Sequence, residues 1–308
     1  GSGNTIEVGD GASIRANTGS VSFDRTVYPV PFAASEYQVH ATATAVTYLP
    51  AGPVQVHIQI DDADYDVSAA GQDTISTSVL DVKILRGSDT TADLMPSTNV
   101  NILETAPDSG IFEYDLQIDS AITLVTAGVT QVQQGDIITV TYTDPQDASG
   151  KVQTVTDSSS FDLRNGVLQA DKSVYLIGSD MILTLIEPDF DLDNDETESY
   201  SLDLIEWDSD AAETTMGAQG ISWTVGATTY TSEAAFDPEP SSFRETGDST
   251  GIFQVVIEIP DTLAGNLLDR GEKIDLEYTD EGPAGADYVG QEDEDIGLTV
   301  YTSNFGAT

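Results

Sequence analysis

The sequence predicts an all-β chain arranged as two tandem Ig-like β-sandwich domains. Three observations carry this expectation. Apolar and polar residues alternate at period two along much of the chain. Clusters of Gly, Pro, Asn and Asp separate the alternating segments. One unit of roughly 140 residues, the size of a sandwich domain, is written twice.

The strands follow from the alternation. Val54, Val56, Ile58 and Ile60 are apolar, with Gln55, His57 and Gln59 between them. Phe112, Tyr114, Leu116 and Ile118 alternate with Glu113, Asp115 and Gln117, and Ile138, Val140 and Tyr142 alternate with threonines. Phe253, Val255, Ile257 and Ile259 repeat the pattern, as do Ile274, Leu276 and Tyr278. Successive side chains of a strand point to opposite faces, so each segment buries one face and wets the other. No long amphipathic helix is visible, and short strands between turn signals point to sandwiches.

The repeat is legible in four matches that keep one order. Asp24-Arg25-Thr26-Val27-Tyr28 matches Asp171-Lys172-Ser173-Val174-Tyr175. Asp64-Tyr65-Asp66 matches Asp189-Phe190-Asp191. Glu104-Thr105 leads into Asp108-Ser109-Gly110-Ile111-Phe112 as Glu245-Thr246 leads into Ser249-Thr250-Gly251-Ile252-Phe253. Gly135 to Asp144 matches Gly271 to Asp280. The expected domains are residues 19–163 and 164–308. Residues 1–18 combine a tag scar, Gly-Ser-Gly, with the tail of a preceding copy, and Tyr301 to Thr308 approach a following one. The first copy has an extra segment near Phe32 to Gly52, with Ala/Thr alternation from Ala41 to Ala45. The second has its own insertion near Ala211 to Ser242.

Composition bounds the function. The 308 residues, enough for about two domains, hold 54 acidic and 10 basic side chains, a formal net charge of −44. Residues 164–308 carry more of it than residues 19–163. Binding nucleic acid needs clustered Lys and Arg, so that class is excluded. There is no cysteine, which excludes disulfides, Cys-based metal sites and thiol nucleophiles. No apolar run approaches the ~20 residues that span a bilayer, so no membrane insertion is expected in this segment. Twelve Tyr, nine Phe and two Trp distinguish the chain from a disordered acidic one.

Two loops concentrate carboxylates. Asp61-Asp62-Ala63-Asp64-Tyr65-Asp66 follows the strand ending at Ile60, and Glu187-Pro188-Asp189-Phe190-Asp191-Leu192-Asp193-Asn194-Asp195 follows the strand ending at Ile186. Ca²⁺ takes six to eight hard oxygen ligands, and alternate acids at a strand end offer them. The metal-ligand candidates are Asp62, Asp64, Asp66, Glu187, Asp189, Asp191 and Asp193, with structural Ca²⁺ as the ion. Neither loop has both the mid-loop Gly and the final Glu of an EF-hand. The competing reading is a solvated acidic loop.

Glu104 with Asp108, and Glu245 with Asp248, are secondary candidates. Gly110 and Gly251 beside them read as turn residues feeding a strand. Tyr142 and Tyr278 are expected to act as tyrosine corners. His57 lies on the polar face of its strand and is expected to be exposed, and His40 sits in the inserted segment of the first copy. Trp207 and Trp223 are expected in packing roles. No catalytic motif appears, and with 54 acids a carboxylate pair carries little information, so the chain does not read as an enzyme.

At Phe23 to Phe32, Glu104 to Phe112 and Gly135 to Asp144, and at the aspartate-rich loops, the chain resembles the surface-layer (S-layer) proteins of ammonia-oxidising archaea, the thaumarchaeal or Nitrosopumilus type. The resemblance implies strings of Ig-like domains whose copies assemble into a porous two-dimensional lattice outside the cell membrane. It also implies bound cations and a strongly negative lattice that admits ammonium. The second copy departs at Leu176-Ile177-Gly178, where the first has Pro29-Val30-Pro31. A calcium-binding cadherin-like or adhesin repeat module is the alternative. No Asn-x-Ser/Thr sequon occurs.

Overall fold

Period-two alternation becomes two sandwiches in the computed structural model, which describes residues 16–41, 46–96, 98–121, 131–217, 222–225, 228–231 and 235–305. Residues 1–15, the Ala/Thr run over 42–45, residues 306–308 and the side chains of His40 and Trp223 lie outside what is described.

The first half supplies β1 (Ser20–Phe23), β2 (Val27–Pro29), β3 (Val54–Asp61), β4 (Leu80–Arg86), β5 (Asp89–Asp93), β6 (Ile111–Ile118), β7 (Ile137–Asp144) and β8 (Gln153–Asp162). One sheet runs β1-β3-β6 and the facing sheet runs β2-β8-β7-β4-β5. The second half supplies β9 (Val167–Ala170), β10 (Val174–Tyr175), β11 (Asp180–Ile186), β12 (Ser199–Tyr200), β13 (Ile205–Ser209), β14 (Glu213–Thr215), β15 (Glu239–Glu245), β16 (Ile252–Glu258), β17 (Lys273–Asp280) and β18 (Glu294–Thr302). Its sheets run β9-β11-β16-β15-β12 and β10-β18-β17-β13-β14. The chain is thus an all-β tandem of Ig-like sandwiches.

In each half the first strand splits between the sheets. β1 pairs antiparallel with β3, and β2 crosses over to pair parallel with β8. β9 and β10 do the same with β11 and β18. Inward residues of each strand fill the space between the sheets. Val54, Val56, Ile58 and Ile60 are fully buried, as are Ile138, Val140 and Tyr142 and, in the second half, Ile274, Leu276 and Tyr278. Trp207 is a core residue against Phe236, with ring centroids 5.0 Å apart.

The Phe32–Gly52 insertion joins the halves. Phe32 and Gly52 exchange backbone hydrogen bonds, and a Cβ on Gly52 would meet the Phe32 ring at 2.3 Å, so only glycine fits. The loop thus closed carries Tyr37 into the second sandwich. The Tyr37 ring centroid lies 4.9 Å from that of Phe190, and its hydroxyl meets that of Tyr278. The buried apolar cluster therefore continues across the boundary without a break.

Polar contacts frame this plug. Arg25 donates to the Asp191 carboxylate and carbonyl, both at 2.7 Å. The Gln55 N–H donates to the Leu192 carbonyl at 2.9 Å, and the Gln134 N–H to the Asp287 carbonyl at 2.8 Å. His57 spans the joint, its Nδ1 at 2.9 Å from Asp115 and its Nε2 at 3.0 Å from Asp193. The expectation of an exposed His57 is therefore corrected. Its strand face is polar, but the second sandwich packs over it.

Burial by itself lowers the His57 pKa, but hydrogen bonds to Asp193 and Asp115 and the charges of Asp24 and Asp195 outweigh it. The pKa is pushed up to about 9 from 6.5. The folded state thus holds a proton that the unfolded chain releases earlier. This stabilisation is complete below pH 6.5 and is lost as pH rises through about 9. Melting temperature should fall across that window, and His57→Gln should flatten the fall. Parallel curves for the two proteins would contradict the bridge.

Candidate cation site, written twice

The two copies build the same carboxylate cluster from the same scaffold. In the first half, Asp66, Asp73 and Glu104 bring carboxylate oxygens within 4.8 Å of one another. In the second half, Asp191, Glu198 and Glu245 do so. Each cluster joins three separate pieces of chain: the acidic loop after β3 or β11, the residue seven positions on, and the Glu-Thr turn.

Hydrogen bonds explain why each acid sits where it does. Glu104 Oε1 accepts from the N–H groups of Ser109 and Gly110 at 2.8 and 2.7 Å, and its Oε2 from the Asp73 N–H at 3.0 Å. Glu245 Oε1 accepts from the N–H groups of Thr250 and Gly251 at 2.6 and 2.8 Å. Gly110 and Gly251 take φ of 64° and 58°, the left-handed turn expected of them. That turn aims two successive N–H groups at one oxygen, a small anion nest. Asp73 accepts from the N–H groups of Val67 and Ser68, and Glu198 from those of Leu192 and Asp193. The third acid, Asp66 or Asp191, is placed by this same loop.

The electrostatics favour a cation. In the second cluster, burial pushes the Glu198 carboxyl up, the Glu245 carboxyl facing it adds to the shift, and its pKa reaches about 8. Burial also works against charge on Glu245, but the hydrogen bond from Glu198 and those from Thr250 and Gly251 hold it below its ordinary value. Asp191 is raised by burial despite Arg25. Among the described residues no N–H or hydroxyl donor reaches Glu198 Oε2, a buried atom, and the facing Glu245 carboxyl is close enough to share a proton with the Glu198 carboxyl. Carboxyls this close stay together by sharing a proton or a cation. The donor set is all hard oxygen, which fits Ca²⁺ and leaves room for further oxygen ligands. In the first cluster Asp66 is raised too, by desolvation and by Glu104, Asp108 and Asp73.

Of the seven residues singled out from sequence, Asp66 and Asp191 enter these clusters. The others are placed elsewhere. Asp62 is buried and accepts from the Tyr142 hydroxyl at 2.5 Å, and Glu187 accepts from the Tyr278 hydroxyl at 2.8 Å. This corrects the tyrosine-corner expectation: each hydroxyl is bound by a carboxylate across the sandwich end, not by upstream backbone. Asp64 accepts from the Asn17 N–H, and Asp189 from the Arg164 N–H at 2.8 Å. Asp193 is bound to His57. Burial raises the carboxyls of Glu187 and Asp189, the latter to about 8.

Asp73 and Glu198 were missed from sequence, although their shared seven-residue offset from Asp66 and Asp191 was a readable signal. His57, Glu113 and Asp115 form a third group with ligand-capable atoms, in which both ring nitrogens already face aspartates. A cavity of about 320 Å³ lies where the first half's hairpin strand at Gln38 and Val39 meets the second half. Asp203, Glu206, Glu213, Glu277 and Glu281 line it. Burial first, and then repulsion from Asp293, raises Glu281 to about 7.

No protein-family model matches the chain, and no curated protein matches it. Among solved structures, the adhesin InvE of Yersinia pseudotuberculosis is similar at 12% identity and a TM-score of 0.24, over 92% of this chain and 58% of that one. A glycosyl hydrolase family 2 member from Bacteroides cellulosilyticus matches at 10% identity and 0.22, over 81% and 23%. Murine CEACAM1b matches at 7% and 0.21, over 92% and 98%. The chain thus spans little more than half of the first of these. Similarity this distant says nothing of activity or partner.

Proposed function

We propose that the chain is a structural segment of an extracellular S-layer protein. Its two sandwiches form a stiff strut, each with structural Ca²⁺ at its carboxylate cluster, and its partners are further copies of itself. The observation that carries the cation reading is the buried Oε2 of Glu198, which faces another carboxyl and meets no N–H or hydroxyl among the described residues, in a cluster that the first half repeats. Asp191, Glu198 and Glu245 would hold one ion, and Asp66, Asp73 and Glu104 another. The ion would supply positive charge that ties three stretches of chain and cancels their repulsion. A core continuous through the joint supports the strut.

The remaining charge serves passage. A surface near −30 mV concentrates a monovalent cation about threefold. Salt screens the surface potential over about 10 Å at 0.1 M, so enrichment of ammonium belongs to narrow pores. Lattices with neutralised carboxylates should lose that enrichment. Unchanged ammonium accumulation would remove this part of the reading.

Calcium is tested by thermal unfolding with the ion and with chelator. A ligand at a hundred times its Kd adds about 2.7 kcal/mol, which is several degrees for a chain of this size. Superimposed transitions, with no metal by elemental analysis, would exclude it. Electron microscopy of the full-length protein tests the layer. Two-dimensional crystals support it, whereas isolated rods ending in a distinct tip domain favour an adhesin.

A further inference from the structure

Three consecutive residues, Asp191, Leu192 and Asp193, serve the second-half carboxylate cluster and the joint at once. Toward the cluster, Asp191 contributes its carboxylate, and Leu192 and Asp193 donate their N–H groups to Glu198 Oε1 at 2.9 and 2.7 Å. Toward the first half, the Asp191 carbonyl accepts from Arg25 at 2.7 Å and the Leu192 carbonyl from the Gln55 N–H at 2.9 Å. The Asp193 carboxylate lies 3.0 Å from His57 Nε2. We propose that cluster and joint are coupled: a divalent cation on Asp191, Glu198 and Glu245 tightens the docking of the two sandwiches, and docking raises the affinity of the cluster for the cation.

Asp191 divides its carboxylate between the two halves. Its Oδ1 accepts from Arg25 at 2.7 Å, and its Oδ2 accepts from the Ser249 hydroxyl at 3.4 Å. Ser249 belongs to the turn that seats Glu245. The Arg25 and Asp191 side chains are only 10% and 12% exposed, so neither can swing away without leaving the other uncompensated. Glu198 is tied to Glu245 in turn, its carbonyl accepting the Glu245 N–H at 3.0 Å.

The direction of the coupling follows from the loop. Its N–H groups face the cluster and its carbonyls face the first half. Three ionised carboxylates without a cation repel one another, and they gain distance by displacing the loop that carries Asp191. That displacement draws the two carbonyls and Asp193 away from Arg25, Gln55 and His57. A cation keeps the carboxylates together and the loop in the shape that the first half fits. Two equilibria biased by one element are linked, and the linkage is reciprocal.

The first-half cluster is the internal reference. The donors that seat Asp73 and Glu104 are the N–H groups of Val67, Ser68, Asp73, Ser109 and Gly110, all in the same sandwich. Among the described residues, no hydrogen bond of this cluster crosses the joint. Its occupancy therefore leaves the docking as it is.

The coupling rests on the calcium reading above, and calcium titration calorimetry of the whole chain tests it. Asp66→Asn removes a ligand of the first cluster, so that binding at the second is measured alone. The charge of Arg25 opposes a cation while its hydrogen bonds place Asp191, so an arginine variant would mix two effects. Tyr37→Ala loosens the joint with every charge in place. It should weaken calcium binding at the second cluster about tenfold. In a Glu198→Gln background the same substitution should leave the first cluster's affinity unchanged. Unchanged affinity at the second cluster, or an equal loss at both, overturns the coupling. Conversely, calcium should narrow the distribution of lengths in small-angle scattering. Glu198→Gln should remove that response, and Asp66→Asn should keep it. A distribution that ignores calcium bound at the second cluster overturns the coupling and leaves the site standing. No calcium at the second cluster would sink the site, and the coupling with it.

Discussion

Replacing Tyr37 with alanine is expected to cost about 3–5 kcal/mol and to split one calorimetric transition into two. A buried aromatic truncated to alanine loses its transfer free energy and leaves a cavity. Tyr37 is buried, its ring packs on Phe190, and its hydroxyl meets Tyr278. It is the aromatic side chain of the insertion that reaches the second core. Interfaces between domains of one chain are ordinarily polar and loose, whereas here the apolar cluster runs through. The two sandwiches should therefore melt together in the native chain and separately in the variant. Small-angle scattering should show a broader distribution of lengths. A single unshifted transition in Tyr37→Ala would mean that Arg25, His57 and the backbone bonds suffice. Tyr37→Phe separates the ring from the hydroxyl and should keep a single transition.

Glu245→Ala is expected to be the second large effect, about 2–4 kcal/mol, because it strands the N–H groups of Thr250 and the buried Gly251. Glu245→Gln should retain most of that stability, since its carbonyl oxygen still accepts from the nest. The carboxamide lacks the charge, however, so it should abolish the second half's response to calcium. The pair thus divides scaffold from ligand. A Glu245→Gln protein with the full calcium shift would place the ion elsewhere. One that unfolds like the alanine variant would show that charge on the nest carries the stability.

The fold was legible because alternation is a local property. Val54 to Ile60 or Ile274 to Tyr278 needs no distant information to declare which face is buried. The repeat was legible for the same reason, since matched segments are compared along the chain. The cluster was half legible. Asp66, Asp191, Glu104 and Glu245 stand in conspicuous segments, but Asp73 and Glu198 reach them beside the pairings of Thr74 with Leu103 and of Ser199 with Arg244, and along the chain only their shared seven-residue offset announces them. Asp62 and Glu187 were misread because their partners, Tyr142 and Tyr278, lie 80 and 91 residues away. The same tyrosines explain Gly19 and Gly166, where a Cβ would strike the Tyr142 or Tyr278 ring at 2.6 or 2.7 Å. His57 was judged by its own strand, and a strand cannot show what packs over it.

The crossover of the first strand in each sandwich has a mechanical consequence. β2 and β8 run parallel, with Val27, Tyr28 and Pro29 opposite Ser160, Phe161 and Asp162. β10 and β18 repeat this with Val174 and Tyr175 opposite Tyr301 and Thr302. Past β1 or β9, tension reaches the start of one strand of this pair and leaves at the end of the other. Such a load slides the two strands past each other, so all rungs between them strain at once. Antiparallel partners joined at one end would peel a rung at a time. Both sandwiches therefore meet a pull with these parallel pairs in shear.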